Sequence, residues 1–176
     1  MDTVNPTILA EQGKKEYGQE NYLAAADLFL QAAQAYALAE DPLNAAEMKN
    51  NQSVALLQAG KAKEALQATE GTENIFQKAG DLKRQGIAVS NRAAALEGMK
   101  KWQEALAEYD RAASLFEQIG EGDMHSIVRK AAANLNLKRG RIVDSQMDVY
   151  DSLRLVEKPT LTQRFMKFLI RMGLVK

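Results

Sequence analysis

Apolar residues recur at three- and four-residue spacing along most of the chain, which is the period of an amphipathic α-helix. Two clear stripes are Leu28, Ala32, Ala35, Leu38 and Leu106, Tyr109, Ala113, Phe116. Asp41 and Pro42 predict a helix start, because an aspartate caps free amide groups and a proline fits the first helical position. We expect Asp81 and Asp123 to cap two further helices in the same way.

The pattern repeats every 40 residues without insertion. Small residues share columns in this register, for example Gly13, Ser53, Ala93, Ala133 and Ala25, Ala65, Ala105, Ser145. Each block predicts two helices, the first at about 7–18, 43–58, 82–98 and 124–138 and the second at about 21–39, 61–78, 101–118 and 141–157. Gly71 makes the helix over 61–78 the weakest of these, since an internal glycine costs about 1 kcal/mol relative to alanine.

The third block resembles the tetratricopeptide repeat (TPR) family through its small and aromatic positions, which are Ala93, Leu96, Trp102, Ala105, Tyr109 and Ala112. The first block is similar, with Gly13, Tyr22, Ala25, Phe29 and Ala32. The usual TPR period is about 34 residues, so this chain resembles a 40-residue variant. The resemblance implies an all-α, right-handed superhelical solenoid of four TPR-like helix hairpins plus a C-terminal capping helix, nine helices in all.

The expected organisation is a body over 1–158 and a basic amphipathic helix over 159–176. The four repeats of the body fall at about 6–41, 42–80, 81–120 and 121–158. Alanine is abundant and proline scarce, which favours helix. The N-terminus has no basic segment followed by an apolar run, and no stretch has the roughly 20 apolar residues that span a bilayer. We therefore expect a cytoplasmic protein.

The chemistry-bearing motifs argue against an enzyme. The chain has no cysteine, so disulfides, thiolate metal sites and cysteine nucleophiles are excluded. It contains no Gly-rich phosphate loop and no GxSxG motif. His125 is the single histidine; we expect it to be exposed near a helix start, with no partners to form a metal site. The sequence predicts no catalytic residue, no metal and no cofactor.

The formal net charge is zero, and this neutrality argues against nucleic acid as a partner. The charge is unevenly distributed, however. Five bases and no acid lie between Lys158 and Lys176, so the residues before this segment carry a net charge of −5. The sequence therefore predicts an acidic body followed by a basic tail.

The tail predicts one further helix. Pro159 ends the fourth pair, and Thr160 with Gln163 resembles a capping box. Leu161, Phe165 and several following apolar residues lie on one helical face, with most of the bases on the other. This helix could cap the end of the solenoid, lie on an anionic membrane or in a partner's groove, or pack against the acidic body of its own or a neighbouring chain.

The first helices of a curved stack of helix pairs line its concave surface. In the 40-residue register, nine candidate binding residues lie on this face: Glu11, Lys14, Glu47, Asn50, Asn51, Val54, Asn91, Lys130 and Asn134. Asn51 and Asn91 share one column, and an asparagine amide can both donate to and accept from a peptide backbone. Peptide-binding TPR proteins use asparagine at this type of position, so the resemblance implies the same role here. The alternative is that both asparagines are polar residues on a solvent-exposed surface and have no role in binding.

These observations predict a non-catalytic adaptor that binds an extended peptide or partner segment in the concave groove, as a monomer or weak homo-oligomer. Two alternatives stay open. The chain could be a self-assembling scaffold that associates through its C-terminal helix. It could also be a peripheral membrane adaptor that binds a lipid surface through residues 160–172, since this helix is the only part of the sequence suited to membrane contact.

Overall fold

The computed structural model describes residues 5–156 and 158–171, with side chains as far as residue 168. Within these ranges the chain forms ten helices and no strand, so the all-α class is confirmed. The helices are α1 (Pro6–Gly18), α2 (Tyr22–Leu38), α3 (Pro42–Gln58), α4 (Ala62–Ala68), α5 (Thr72–Lys78), α6 (Leu82–Gly98), α7 (Trp102–Gln118), α8 (Gly122–Lys138), α9 (Ile142–Arg154) and α10 (Leu161–Arg171).

Each helix packs mainly against its neighbours in sequence, which produces a helical solenoid. The first helices of the pairs are α1, α3, α6 and α8. The second helices are α2, α4 together with α5, α7, and α9. The second helix of each pair packs against the first helix of the next pair. The buried apolar residues form one cluster in α1–α3, one in α6–α8, and a small one between them at Ala46, Phe76 and Ala88.

Two of the three predicted aspartate caps are confirmed. The Asp41 carboxylate accepts a hydrogen bond from the Asn44 amide at 3.1 Å, and that of Asp81 accepts from the Arg84 amide at 2.9 Å. The prediction for Asp123 is wrong, because α8 begins one residue earlier, at Gly122. Asp123 instead lies in the first turn, where its negative charge still interacts favourably with the helix dipole.

The small-residue columns are buried where the two helices of a pair meet. Ser53 and Ala93 are almost completely buried. Gly13 shows why the column must be small, since a Cβ atom there would lie 2.9 Å from the ring of Phe29. The apolar stripe on α2 is wrong at one position: Leu38 is 88% exposed, because it is the last residue of the helix.

Left-handed backbone conformations recur at the same 40-residue spacing as the side-chain columns. One set joins the two helices of each pair and consists of Glu20, Gly60, Lys100 and Gly140. A second set joins successive pairs and consists of Glu40, Gly80 and Gly120. The turns are therefore equivalent along the stack even where the residue is not glycine.

The second pair departs from the others, because its second helix is broken. The single helix predicted over 61–78 is wrong: α4 ends at Ala68 and α5 begins at Thr72. Gly71 takes a left-handed φ of 77°, which a continuous helix does not allow. The Thr69 hydroxyl donates to the carbonyl of Leu66 at 2.7 Å, and the Thr72 hydroxyl donates to that of Thr69 at 2.9 Å. The same two carbonyls also accept backbone hydrogen bonds from the amides of Thr69 and Thr72, so the hydroxyls add a second donor to each turn at the break.

A groove of about 310 Å³ lies beside the break. Residues of α4, α5 and α6 and the start of α7 line it. The second helices α7 and α9 are continuous, so the break in the helix distinguishes the second pair from the two pairs that follow it.

The capping box at the start of α10 is confirmed. The Thr160 amide donates to Gln163 Oε1 at 2.8 Å, and the Gln163 amide donates to the Thr160 hydroxyl at 3.3 Å. The helix packs against α9, yet Phe165 and Phe168 remain more than half exposed. In the described part of the chain, none of the helices has the length and apolar character needed to cross a bilayer.

Candidate functional site

The structure brings three of the charged candidates together at the first two pairs. Lys14 forms an ion pair with Glu11 at 2.8 Å. This hydrogen bond, with a smaller contribution from Glu47, raises the pKa of Lys14. Glu47 in turn lies 3.5 Å from the guanidinium of Arg84 on α6. These four side chains therefore form a charged row that links the first helices α1, α3 and α6.

Arg84 is a member of this row that reasoning from sequence missed. It follows the helix cap Asp81 by three residues and lies 3.4 Å from its carboxylate. Its guanidinium carbon also lies 6.0 Å from the centroid of the Phe76 ring, at the edge of cation–π range. The spacing between Glu47 and Arg84 is close to the repeat length, and this is the signal that could have indicated a contact between pairs.

Asn50 is not on the exposed surface, so the prediction that it lines a groove is wrong. It is only 4% exposed. Ala46 and Ser53, which lie four residues before it and three residues after it, are also buried. Residues at these spacings share one face of a helix, so Asn50 belongs to the packed face of α3.

Asn51, Val54 and Asn91 are partly exposed. The amides of Asn51 and Asn91 make no hydrogen bond to another residue in the described part of the chain, so their donors and acceptors are open to other molecules. At the fourth pair, Lys130 and Asn134 are exposed. No ion pair joins these two to the charged row within residues 5–156.

A second charged contact links the third and fourth pairs. Glu97 on α6 accepts a hydrogen bond from the Tyr109 hydroxyl at 3.0 Å and forms an ion pair with Lys138 at 2.9 Å. Burial and the neighbouring Glu97 carboxylate raise the pKa of Tyr109, so the hydroxyl stays protonated and remains a donor. Lys138, the last residue of α8, therefore already has a carboxylate partner.

His125 is fully buried, so the expectation that it is exposed is wrong. In the 40-residue register Ala45 and Gln85 occupy the same column, and both are also buried. His125 Nε2 lies 3.4 Å from the Asp151 carboxylate, which forms an ion pair with Arg129 at 2.6 Å. Among the described residues, no cluster of histidines and carboxylates could hold a metal ion.

The buried histidine predicts a pH dependence of stability. Burial lowers the pKa of His125, an effect that the nearby charges of Asp151, Arg129, Glu117 and Arg154 only partly modify. The folded state therefore favours the neutral imidazole. The stability that depends on this group is present above the ordinary pKa of about 6.5 and is lost as the pH falls below it.

We expect the His125→Gln variant to lose less free energy of unfolding than the wild type between pH 7.5 and pH 5. Gln85 shows that glutamine fits the same column. Burial also raises the pKa of Asp148, which acts in the opposite direction at lower pH but is common to both proteins. Urea unfolding at several pH values measures the difference, and parallel pH profiles would contradict the assignment.

The fold places this chain among the helical solenoid proteins. A family model described as SNAP, soluble NSF attachment protein, matches residues 14–172, and the chain therefore belongs to this family. Members of the family are non-enzymatic adaptors that act through protein–protein interaction. No curated protein matches the chain at a significant level.

Proposed function

We propose that this chain is a non-catalytic adaptor that binds a segment of a partner protein along its first helices, α1, α3, α6 and α8. NSF attachment is the specific form of this role that the name of the family suggests. The resemblance of the repeats to TPR sequences supports the same surface, since the first helices of such arrays line the concave side. The observation that carries the proposal is the pair of open amides at Asn51 and Asn91.

These two amides lie 40 residues apart, at equivalent positions of α3 and α6. Each offers a donor and an acceptor, so a partner backbone crossing both helices would find matching groups at each step. A side-chain amide is neutral, so it loses less hydration free energy on binding than a lysine or glutamate would. Asn51 and Asn91 would therefore supply general affinity, independent of the partner's sequence.

The charged residues would supply selectivity. Glu11, Lys14 and Glu47 lie on the first helices of the first two pairs, and Lys130 and Asn134 lie on the first helix of the fourth pair. Lys14 and Glu47 already have partners of opposite charge, whereas Lys130 has none among the described residues. The groove would thus select a partner segment that brings a carboxylate to the fourth pair.

Affinity measurements with NSF and with SNARE proteins, the partners that the family suggests, test this function. We expect the wild type to bind at least one of them and the Asn51→Ala, Asn91→Ala double variant to bind it at least about tenfold more weakly, since lost hydrogen bonds cost roughly 1 kcal/mol each. A matched control is the Asn74→Ala, Gln103→Ala variant, because both residues are exposed on second helices.

The outcomes separate the two parts of the proposal. If the wild type binds and the double variant binds equally well, the assignment of the groove is wrong. If the control variant is weakened as much as the double variant, the partner binds the second helices instead. If neither probe binds the wild type, NSF attachment is wrong for this chain.

A further inference from the structure

The face of α8 that packs against α9 is polar, although the repeat does not require this. In the 40-residue register, Arg129 and Asn136 of the fourth pair correspond to Val89 and Leu96 of the third. Val89 and Leu96 are buried in the apolar cluster of α6–α8. Arg129 and Asn136 instead contact α9: the Arg129 guanidinium lies 3.6 Å from the Asp148 carboxylate, and the Asn136 amide donates to that carboxylate at 2.9 Å. At these positions the fourth pair has polar contacts where the third has apolar packing.

Apolar packing between α8 and α9 is also reduced. In the third pair, Gly86 lies directly against the Phe116 ring. The equivalent residues of the fourth pair are Ser126 and Val156, so a smaller side chain replaces the ring. No residue of α9 belongs to the apolar cluster of α6–α8. Two serines and one apolar residue are buried within this helix: Ser145, Ser152 and Leu153.

Buried polar atoms without a hydrogen-bond partner are concentrated along α8. In the described part of the chain there are eight such side-chain atoms, and six belong to α8 or to the residue after it: both ring nitrogens of His125, Ser126 Oγ, Arg129 Nε, Asn136 Oδ1 and Arg139 Nη1. His125 Nε2 and Arg129 Nε lie near the same oxygen of Asp151, and neither is aligned to donate a hydrogen bond to it. A buried polar group without a partner destabilises the state that buries it. Separation of α8 and α9 would let water satisfy these groups.

The ion pairs that hold α9 only partly offset this effect. Arg129 and Asp148 are 17% and 15% exposed, and the loss of hydration on burial cancels much of the free energy that two charges gain by pairing. Burial raises the pKa of Asp148 despite its hydrogen bond from Asn136 and the nearby Arg129, so its negative charge is incompletely compensated. The pair between Arg154 and Glu117 of α7 is exposed and contributes little.

The connections of α9 allow it to move independently of the rest of the array. Its main neighbour is α8, and it makes fewer contacts with α10. The turn between α8 and α9 contains Gly140 with a left-handed φ of 72°, and a glycine changes its backbone angles more easily than other residues. Val128, Ala132 and Leu135 of α8 belong to the apolar cluster with α6 and α7. This cluster keeps α8 in place when α9 leaves.

We propose that α9 is a movable cover, which opens from α8 as one unit about the turn at Gly140 while α1–α8 stay folded. Opening exposes the polar face of α8 to water, and closing buries it again. The structure described above is the closed state. This movement goes beyond the proposed adaptor function and does not depend on it, because the tests below require no partner.

A single introduced thiol reports the opening, since the chain has no cysteine. Ser152 on α9 is 0% exposed, and Ser53 on α3 is 1% exposed. We expect the thiol of Ser152→Cys to react with dithionitrobenzoate at least about a hundredfold faster than that of Ser53→Cys under native conditions, because the first needs only α9 to open and the second needs the second pair to separate. Equal reaction rates would overturn the proposal.

Hydrogen exchange of the wild type tests whether α9 opens as one unit. We expect the central amides of α9 to exchange at a common rate, faster than the amides of α6 and α7. Rates that fall gradually from the ends of α9 towards its centre would indicate fraying of the helix and would contradict a unit movement. Protection of α9 equal to that of α7 would do the same.

A double variant tests whether the unpartnered groups favour the opening. Ser126→Ala with Arg139→Met removes two of them, and neither side chain makes a hydrogen bond or an ion pair within residues 5–156. Ala46 and Met99 occupy the equivalent positions of the second and third pairs, so both replacements fit the repeat. We expect exchange of the central amides of α9 to slow by at least about tenfold, because the closed state then buries fewer unpartnered groups.

The matched control is Ser114→Ala with Lys61→Met, because both residues are exposed and lie on other pairs. It should leave the exchange of α9 unchanged. Circular dichroism spectra that match that of the wild type establish that each variant is folded. The proposal is wrong if a folded Ser126→Ala, Arg139→Met variant exchanges the amides of α9 as fast as the wild type does.

Discussion

Replacing Phe116 with alanine should lower the free energy of unfolding by about 3–5 kcal/mol, which is the usual cost of removing a buried phenylalanine. The Phe116 ring is fully buried in the apolar cluster that α6, α7 and α8 share. Whole domains are stable by only about 5–15 kcal/mol. We therefore expect the third pair of the variant to be close to unfolding at room temperature.

Urea unfolding followed by circular dichroism measures this loss, with Leu38→Ala as the exposed control. Gly86 provides a sharper test, because a Cβ atom there would lie 2.8 Å from the Phe116 ring. Gly86→Ala should destabilise the wild type by crowding the ring. In the Phe116→Ala background the same methyl group should be tolerated, because it partly fills the cavity. Additive effects of the two substitutions would contradict this packing.

The Gly122→Ala substitution should cost about 3 kcal/mol, at the upper end of the usual range for overpacking. A Cβ atom at Gly122 would clash with the backbone carbonyl oxygen of Leu155, at the point where the start of α8 meets the end of α9. A flexible side chain could move aside, but this neighbour is backbone. The two helices of the fourth pair must therefore separate at this end.

The damage should be local, because each pair in a stacked array contacts only its neighbours. We expect hydrogen exchange to accelerate in α8 and α9 and to be unchanged in α1 and α2. Gly18→Ala is the control, because a Cβ atom at this helical glycine meets nothing within 4 Å. Unchanged exchange across the fourth pair of Gly122→Ala would show that the close approach is wrong.

The repeat made most of the fold predictable from sequence. Columns of small residues at 40-residue spacing indicate where helices cross, and the burial of Ser53 and Ala93 shows why these positions are small. Asp41 and Asp81 mark helix starts through a local hydrogen bond, which sequence reports directly. Information of this kind comes from a few neighbouring residues and from their recurrence along the chain.

The features that the sequence did not show depend on contacts across pairs or on balances between weak effects. A glycine inside a helical pattern costs about 1 kcal/mol, which packing often overcomes, so the break at Gly71 was not predictable from that cost alone. His125 is buried because α9 closes over it, and the position and composition of that helix do not follow from the residues around His125. Asn50 and Asn51 are adjacent, and one step along a helix turns a side chain by about 100°. A small error in the assumed orientation of the helix therefore placed the buried Asn50 on the exposed face beside Asn51.

The broken helix of the second pair bears on where a partner segment lies along the array, because the groove beside the break is lined in part by α6, one of the proposed binding helices. If all four pairs were equivalent, a bound segment could shift by one pair and find nearly the same surroundings, so its position would be ambiguous. Gly71 takes a left-handed φ inside the second helix of the second pair, whereas the corresponding helices α7 and α9 are continuous. This irregularity gives the repeating array a fixed point of reference, from which every other position along it can be distinguished.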